Sequence, residues 1–316
     1  MEPRVSILIP CYNAERWVAE AIESALAQTW PNKEVIVVDD GSKDKSFEIV
    51  QRYAGRIRCE TQPNRGGNPT RNRLLELATG DWVQYLDADD ALLPDKVEAQ
   101  ARLVTERPEV DIFYSPVVLL THEPDGSTRR EPMPIPEPHD PWVLLARWYL
   151  PQTGGPLWRK QAIVDVGGWK PDQPCCQEHE LYLRLLKGGK RFEHVEHFGA
   201  LYRQWGESTV WKKDRSETRR RRLAVTDELE RFLEERGELT PRRLHAVQTS
   251  RLEIARNVWQ SDRALARELV RRAHARVRPV ELEGAPFPPM YRKLYRLLGF
   301  EAAEHIATLK RRLLGR

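Results

Sequence analysis

Through its first hundred residues the chain alternates short apolar runs with stretches of helical periodicity, and this alternation narrows the fold more than any other feature. Val5 to Ile9 is a β-rich apolar run closed by Pro10. Trp17, Val18, Ala21, Ile22, Ala25 and Leu26 then recur at helical spacing, with Asn13 placed to cap them. Glu34 to Val38 is a second apolar run leading into Asp39-Asp40-Gly41-Ser42, and Ser42 or Asp44 can cap the helix carrying Phe47, Val50 and Tyr53. A weaker run, Ile57 to Glu60, precedes a loop at Asn64 to Asn68, and Pro69 suits the first turn of a helix bearing Leu74, Leu75 and Leu77. Gly80 fits the end of that helix, and Trp82, Val83, Tyr85 and Leu86 read as a fourth short strand. Strand alternating with helix predicts an α/β fold with a mostly parallel, Rossmann-like sheet and right-handed crossovers.

In such a sheet, ligands gather beyond the carboxyl ends of the strands. Three polar clusters fall there together: Pro10-Cys11-Tyr12-Asn13, Asp39-Asp40 and Asp87-Ala88-Asp89-Asp90. Carboxylates crowded on one turn repel one another and favour a shared cation. Oxygen ligands suit Mg2+ or Mn2+, and such ions bridge to a substrate's phosphates rather than sit in an all-protein cage. An isolated acidic turn is more often a solvated surface; it is the convergence of three clusters that argues for a site. A calcium loop fails on spacing, because Ala91 is no ligand and Leu92 stands where glycine is required. The fingerprints G-x-G-x-x-G and G-x-x-x-x-G-K-[ST] are absent. The stretch from Gly67 to Asn72 offers backbone amides, and Arg71 and Arg73 offer positive charge, to a phosphate. The pattern points to a nucleoside diphosphate held through a metal.

The segments V-S-I-L-I-P-C-Y-N, I-V-V-D-D-G-S-K-D-K-S, R-N-R-L-L-E-L-A-T-G-D-W and Y-L-D-A-D-D resemble, in order and spacing, the successive blocks of family-2 glycosyltransferases. The resemblance implies an inverting enzyme with the GT-A fold and a nucleotide-sugar donor, expected to be a UDP-sugar, with Mn2+ or Mg2+ as cofactor. It places Pro10, Tyr12 and the Asp39-Asp40 pair around the nucleoside, with one of the two carboxylates reading the base and the choice between them open. Arg71 lies near the diphosphate, Asp87 contacts ribose or metal, and Asp89 ligates the ion with Asp90 beside it. Asn13, Gly67 and Ala88 complete the expected donor set. Further on, Gly167-Gly168-Trp169 and Gln177-Glu178-His179-Glu180-Leu181-Tyr182-Leu183-Arg184 resemble the turn and acidic pair that open a helix in the family. The match puts Glu178 at the position of the catalytic aspartate, as general base toward an acceptor hydroxyl. Its alternative is a first-turn acid favoured by the helix dipole. Leu201 to Ser208 resembles the block that closes the family's catalytic domain, except that Trp205 stands in place of a histidine that can complete the metal site. Trp158, Gly168, Trp169, His179 and Trp205 are candidates for an acceptor or sugar pocket. Tryptophans, Trp211 included, are otherwise packing residues first.

The remaining chain sets limits. Val110 to Leu120 contains a strand broken by Pro116, and the proline-rich Thr121 to Pro141 reads as a surface insertion unable to form a central strand. From Asp214 onward the pattern is helical throughout, so a catalytic domain over 1–212 and a small all-α domain over 213–316 are expected. The last stripes, Tyr291, Leu294, Tyr295 and Leu298, then Ile306, Leu309 and Leu313, read as faces of a small bundle. With 40% hydrophobic and 31% charged residues the chain reads as globular rather than disordered. No apolar run reaches the roughly 18 residues of a membrane span, and Met1 to Pro10 reads as a strand rather than a leader. Vicinal Cys175-Cys176 does not match zinc-ligand spacing, and reduced thiols in a cytoplasmic protein are the simpler reading. A net charge of +4 with no recognition motif argues against nucleic acid. The basic runs at Arg219 to Arg222 and at the terminus instead allow peripheral contact with the inner face of a membrane. The acceptor class stays open among saccharide, lipid-linked and protein. Two rival functions are nucleotidyl transfer and a non-catalytic nucleotide-sugar sensor or scaffold.

Overall fold

A computed structural model describes residues 2–123, 125–205, 214–278 and 280–313, without the side chain of Arg312. The end of the closing block (Gly206, Glu207 and Ser208), Trp211 and the expected boundary at 212/213 lie outside the described residues. The chain packs as two compact units, one of 1–141 with 149–218, the other of 142–148 with 219–316.

The first unit is built on a seven-stranded sheet. Its strands are β1 (Val5–Cys11), β2 (Lys33–Asp39), β3 (Arg58–Thr61), β4 (Trp82–Tyr85), β6 (Ile112–Tyr114), β9 (Pro156–Arg159) and β10 (Phe192–His194), in the order β10-β6-β9-β4-β1-β2-β3. β1 pairs in parallel with β2 and with β4, and β2 with β3, as the alternation predicts; β9 runs antiparallel between β4 and β6. Val5, Ile7, Leu8 and Ile9 are fully buried, which a strand covered on both faces requires. Each such side chain contributes about 1.5–3 kcal/mol by leaving water. Helices α1 (Val18–Leu26), α2 (Ser46–Gln51) and α3 (Gly67–Leu77) make the crossovers. On α1, Val18, Ala21, Ile22 and Ala25 turn inward at helical spacing.

Two local expectations change. Asn13 does not cap α1, which begins at Val18; it adopts a left-handed backbone (φ 49°), and its Oδ1 accepts from the Lys43 amide at 2.8 Å. Its side chain thus ties the end of β1 to the loop after β2. Gly80 is not the end of α3, which stops at Leu77. A Cβ there would lie 2.6 Å from the Arg4 carbonyl oxygen, so the glycine serves close approach to the chain entering β1.

A second sheet of four strands has the order β5-β11-β7-β8, from β5 (Ala91–Leu92), β7 (Val117–His122), β8 (Thr128–Met133) and β11 (Ala200–Trp205). The proline-bearing β8 lies on its edge, where a missing amide does least harm. Helices α4 (Lys96–Glu106), α6 (Lys160–Asp165) and α7 (Gln177–Lys187) complete this unit.

The second unit is helical. Helix α5 (Pro141–Ala146) contributes Trp142, which stacks on Phe232 with ring centroids 5.6 Å apart. Phe232 belongs to α8 (Arg215–Glu235), whose residues from 219 onward are part of this unit. Helix α9 (Pro241–Val258) is capped by Thr240, and α10 (Arg263–Arg276) by Asp262. Helix α11 (Pro289–Leu313) is broken at Gly299 (φ 80°). Leu252, Ala255, Trp259, Leu269 and Phe287 are central to the core, joined by Tyr291 and Tyr295. The end of α11 departs from the expected bundle: Leu298, Ile306, Leu309 and Leu313 stay exposed.

Candidate active site

Parallel pairing of β4, β1, β2 and β3 brings the tips of β1, β2 and β4 to one edge of the sheet. Tyr12, just past β1, is 47% exposed there, an open aromatic face beside buried aspartates. Cys11 is buried, and its thiol is pushed up to about 12 by burial and then by the charge of Asp39, so it supplies no thiolate nucleophile near neutral pH.

The two aspartates at the end of β2, Asp39 within it and Asp40 just past it, differ in occupation. Asp40 accepts at Oδ1 from Gln62 Nε2 (2.8 Å) and the Arg65 amide (2.9 Å), and at Oδ2 from the Gly66 amide (2.8 Å). Its carboxylate therefore receives amides at the start of α3 that a phosphate would otherwise use. Asp39 accepts at Oδ2 from Thr61 Oγ1 (3.0 Å) and the Ser42 amide (3.2 Å), while its buried Oδ1 has no hydrogen-bond partner among the described residues. An orphaned buried carboxylate oxygen is costly, and a ligand donor would satisfy it.

After β4 the chain turns through Asp87 to Asp90, closed by the Asp90 amide donating to the Asp87 carbonyl (3.0 Å). Asp90 is fully shut in and accepts from the Arg203 amide (2.7 Å). Burial first, then the charges of Asp89 and Asp87, push its carboxyl well above the ordinary range. Asp89 is raised by burial and by Asp87. Trp205 donates its indole N–H to Asp89 Oδ2 at 3.3 Å, so the residue standing for the histidine still touches the acidic turn, as a donor and not as a metal ligand. Arg203, not singled out by the sequence, holds the turn by donating to the Asp89 carbonyl (2.6 Å) and to Glu20 (2.7 Å) while lying 4.2 Å over the ring of Trp17. Its position directly after Tyr202 carries no signal beyond the closing block itself.

Arg71 and Glu178 complete the edge. Buried Arg71 donates to Asp87 Oδ1 (2.8 Å), Gln177 Oε1 (2.9 Å) and Asn68 Oδ1 (3.3 Å), so it links the acidic turn to the start of α7. Arg73 pairs instead with Glu60 (2.8 Å) and Glu76 (3.0 Å). Glu178 sits in the first turn of α7 and accepts from Thr153 Oγ1 at 2.6 Å. The charges of both Asp87 and Glu178 act on Arg71, and both act on Tyr202, whose hydroxyl is raised to about 12, by burial above all. Asp87 and Glu178 therefore share one neighbourhood. Thr153 is visible in sequence only as part of Gln152-Thr153-Gly154-Gly155, with nothing to single it out.

The expected pocket residues divide. Trp158, Trp169 and His179 are buried, so they present no ring to a saccharide. Trp158 stacks on Tyr182 at 5.2 Å, and Trp169 meets Tyr85 edge-on at 5.2 Å. Gly168 (φ 72°) turns tightly over Asn72, which bonds both the amide and the carbonyl of Trp169. Of this group Trp205 alone stays half-open beside the acidic turn. No group of three His, Cys, Asp or Glu side chains arranged to hold a metal occurs among the described residues.

Comparisons with known proteins bear on the family and on the fold. The family model for Glycosyl transferase family 2 matches residues 6–155. An uncharacterized glycosyltransferase of Rickettsia felis is 38% identical over 194 residues, covering 58% of this chain and 32% of that protein. The uncharacterized glycosyltransferase RT0329 of Rickettsia typhi is 39% identical over 111 residues, 35% of each chain. The aligned region thus spans about a third of the length of these curated relatives. Among solved structures, S. aureus TarS 1-349 in complex with UDP-GlcNAc superposes with a TM-score of 0.59 at 14% identity, covering 98% of this chain and 92% of that one. The mannosyltransferase PcManGT from Pyrobaculum calidifontis, in complex with GDP-Man and Mn2+, gives a TM-score of 0.53 at 17% identity, covering 100% of this chain and 88% of that one. At these identities the superpositions speak to fold alone. Sheet order and the superpositions give the α/β unit a fold of the GT-A type, and residues 6–155 within it are similar to Glycosyl transferase family 2.

Proposed function

We propose that the chain transfers a sugar from a nucleotide-sugar donor, a UDP-sugar, to an acceptor hydroxyl with inversion at the anomeric carbon. The observation that carries this reading is Arg71, which joins the acidic turn at Asp87 to the first turn of α7, bringing Glu178 into the neighbourhood of the strand-tip carboxylates. The neighbours TarS and PcManGT are solved in complex with UDP-GlcNAc and GDP-Man.

In this reading Asp39, with its orphaned Oδ1, accepts the imino N–H of the base, and the open ring of Tyr12 lines the nucleoside. Pro10, Asn13 and Ala88 lie at the same strand tips, and Gly67 opens the helix beneath them. Asp40 is the structural partner of the pair, already saturated by Gln62, Arg65 and Gly66. Asp89 and Asp87 fit a hard divalent cation: they are oxygen donors on one turn, and burial first, then the charge of Asp87, raises Asp89. Bound there, Mn2+ or Mg2+ would supply Lewis acidity toward the leaving group. Thr153 fixes one oxygen of Glu178, leaving the other to take the acceptor proton. As the hydroxyl oxygen bonds to the anomeric carbon, the bond from that carbon to the diphosphate breaks and the nucleoside diphosphate leaves.

The acceptor is a saccharide, lipid-linked or protein hydroxyl. Glu178→Gln is expected to lower turnover by roughly 10²–10⁴-fold while leaving donor affinity unchanged, measured by nucleoside diphosphate release beside calorimetric donor binding. Equal turnover in wild type and variant would remove the base assignment. Donor binding with no release by the wild type, across an acceptor panel, would favour the scaffold reading. Pyrophosphate release from a nucleoside triphosphate would favour nucleotidyl transfer.

A further inference from the structure

Among the described residues, six of the nine large apolar side chains most open to solvent lie on one helix, α11: Met290, Leu297, Leu298, Ile306, Leu309 and Leu313. Such residues scattered singly need no explanation, but their concentration on one helix does. Before the break at Gly299, Tyr291 and Tyr295 turn inward while Leu297 (69% exposed) and Leu298 face out. After it, Phe300 and Ala303 turn inward, and Ile306, Leu309 (59%) and Leu313 (77%) recur at i, i+3 and i+7 on the open side.

Charge then selects the occupant. Lys293, Arg296 and Lys310 are exposed on the same helix. Its two acids are spoken for: Glu301 is paired with Arg267 (3.0 Å), and Glu304 is fully buried beside Arg256 (3.6 Å) and Arg311 (3.4 Å). On each side of the break at Gly299 the open positions are therefore apolar residues accompanied by exposed basic ones. Nucleic acid would leave the leucines in water. A two-fold contact with a second copy would set like charges against like. An anionic lipid surface satisfies both features, since leucines enter the acyl boundary while lysine and arginine stems reach the headgroups.

We propose that α11 is a membrane-docking helix that seats the protein on an anionic phospholipid bilayer, lying in the interface without crossing it. No described helix is long and apolar enough to span a membrane.

The test is co-sedimentation of the full chain with vesicles of phosphatidylcholine alone or mixed with phosphatidylglycerol. The chain is expected to sediment with the mixed vesicles and not with phosphatidylcholine, and to be released by high salt. Lys293→Gln with Arg296→Gln should weaken binding by roughly thirtyfold, and Leu309→Asp with Leu313→Asp by at least about tenfold. Both pairs are exposed, so the unfolding temperature should hold in each variant. No sedimentation with either vesicle, equal sedimentation with both, or insensitivity to both variants would overturn the proposal. So would a dimer, seen by sedimentation equilibrium, that the leucine variant dissolves.

Discussion

Asp39 and Asp40 adjoin in sequence, are both buried, and are occupied differently. Alternation along an extended backbone sends their side chains to opposite faces. Asp40 meets the loop that opens α3, and Asp39 meets Thr61 with one oxygen to spare. Sequence alone leaves the pair equivalent, because only the loop conformation at 62–66 decides which carboxylate is consumed. The substitutions should separate cleanly. Asp39→Asn should weaken nucleotide binding by about tenfold or more, read by calorimetry, with little change in stability. Asp40→Asn should cost about 1–3 kcal/mol of folding stability, read by urea unfolding. Matching losses of affinity and stability in both variants would contradict the assignment. The same distinction applies to the tryptophans: Trp158 and Trp169 share composition with Trp205 but not location, and no local pattern tells a core indole from one beside a carboxylate.

Among the elements, α4 carries an unusual burden at its start. Lys96 is fully buried, its Nζ has no hydrogen-bond partner among the described residues, and its stem fills the space above Gly199. Burial lowers its ammonium well below the ordinary lysine value of 10.5. The unfolded chain binds this proton up to about pH 10.4, whereas the folded chain releases it at lower pH. Stability should therefore rise with pH between the lowered folded value and the unfolded one, and lose that contribution as pH falls through the same window. Lys96→Met should flatten this slope and raise stability at neutral pH by at least about 1 kcal/mol, measured by urea unfolding across a pH series. An unchanged slope would show that the amine is charged and paired in the folded state. Other elements are legible from pattern: β1, β2 and β4 as apolar runs, and α7 as a helix opening at its acidic pair. Less legible is β9, a four-residue strand inserted antiparallel between β4 and β6, because pairing partners distant in sequence leave no local trace.

For the whole chain, the parallel half of the sheet and its acidic edge can be read from sequence because crossover chirality leaves few topologies for alternating strands and helices. The packing of Trp142 to Trp148 with the helical unit cannot, since a short apolar helix after a proline-rich stretch carries no mark of its destination. The open face of α11 is likewise hidden, because helical periodicity gives the same stripe whether or not something covers it. The central claim is a nucleotide held at the tips of β1, β2 and β4 through a cation on Asp89. Calorimetric titration of UDP into the full chain, with Mn2+ and then with the metal chelated, in wild type and in Asp89→Asn, tests it most directly. The account predicts saturable binding that requires the metal and is lost in the variant. Equal affinity with and without metal, or an unaltered isotherm in Asp89→Asn, would contradict it.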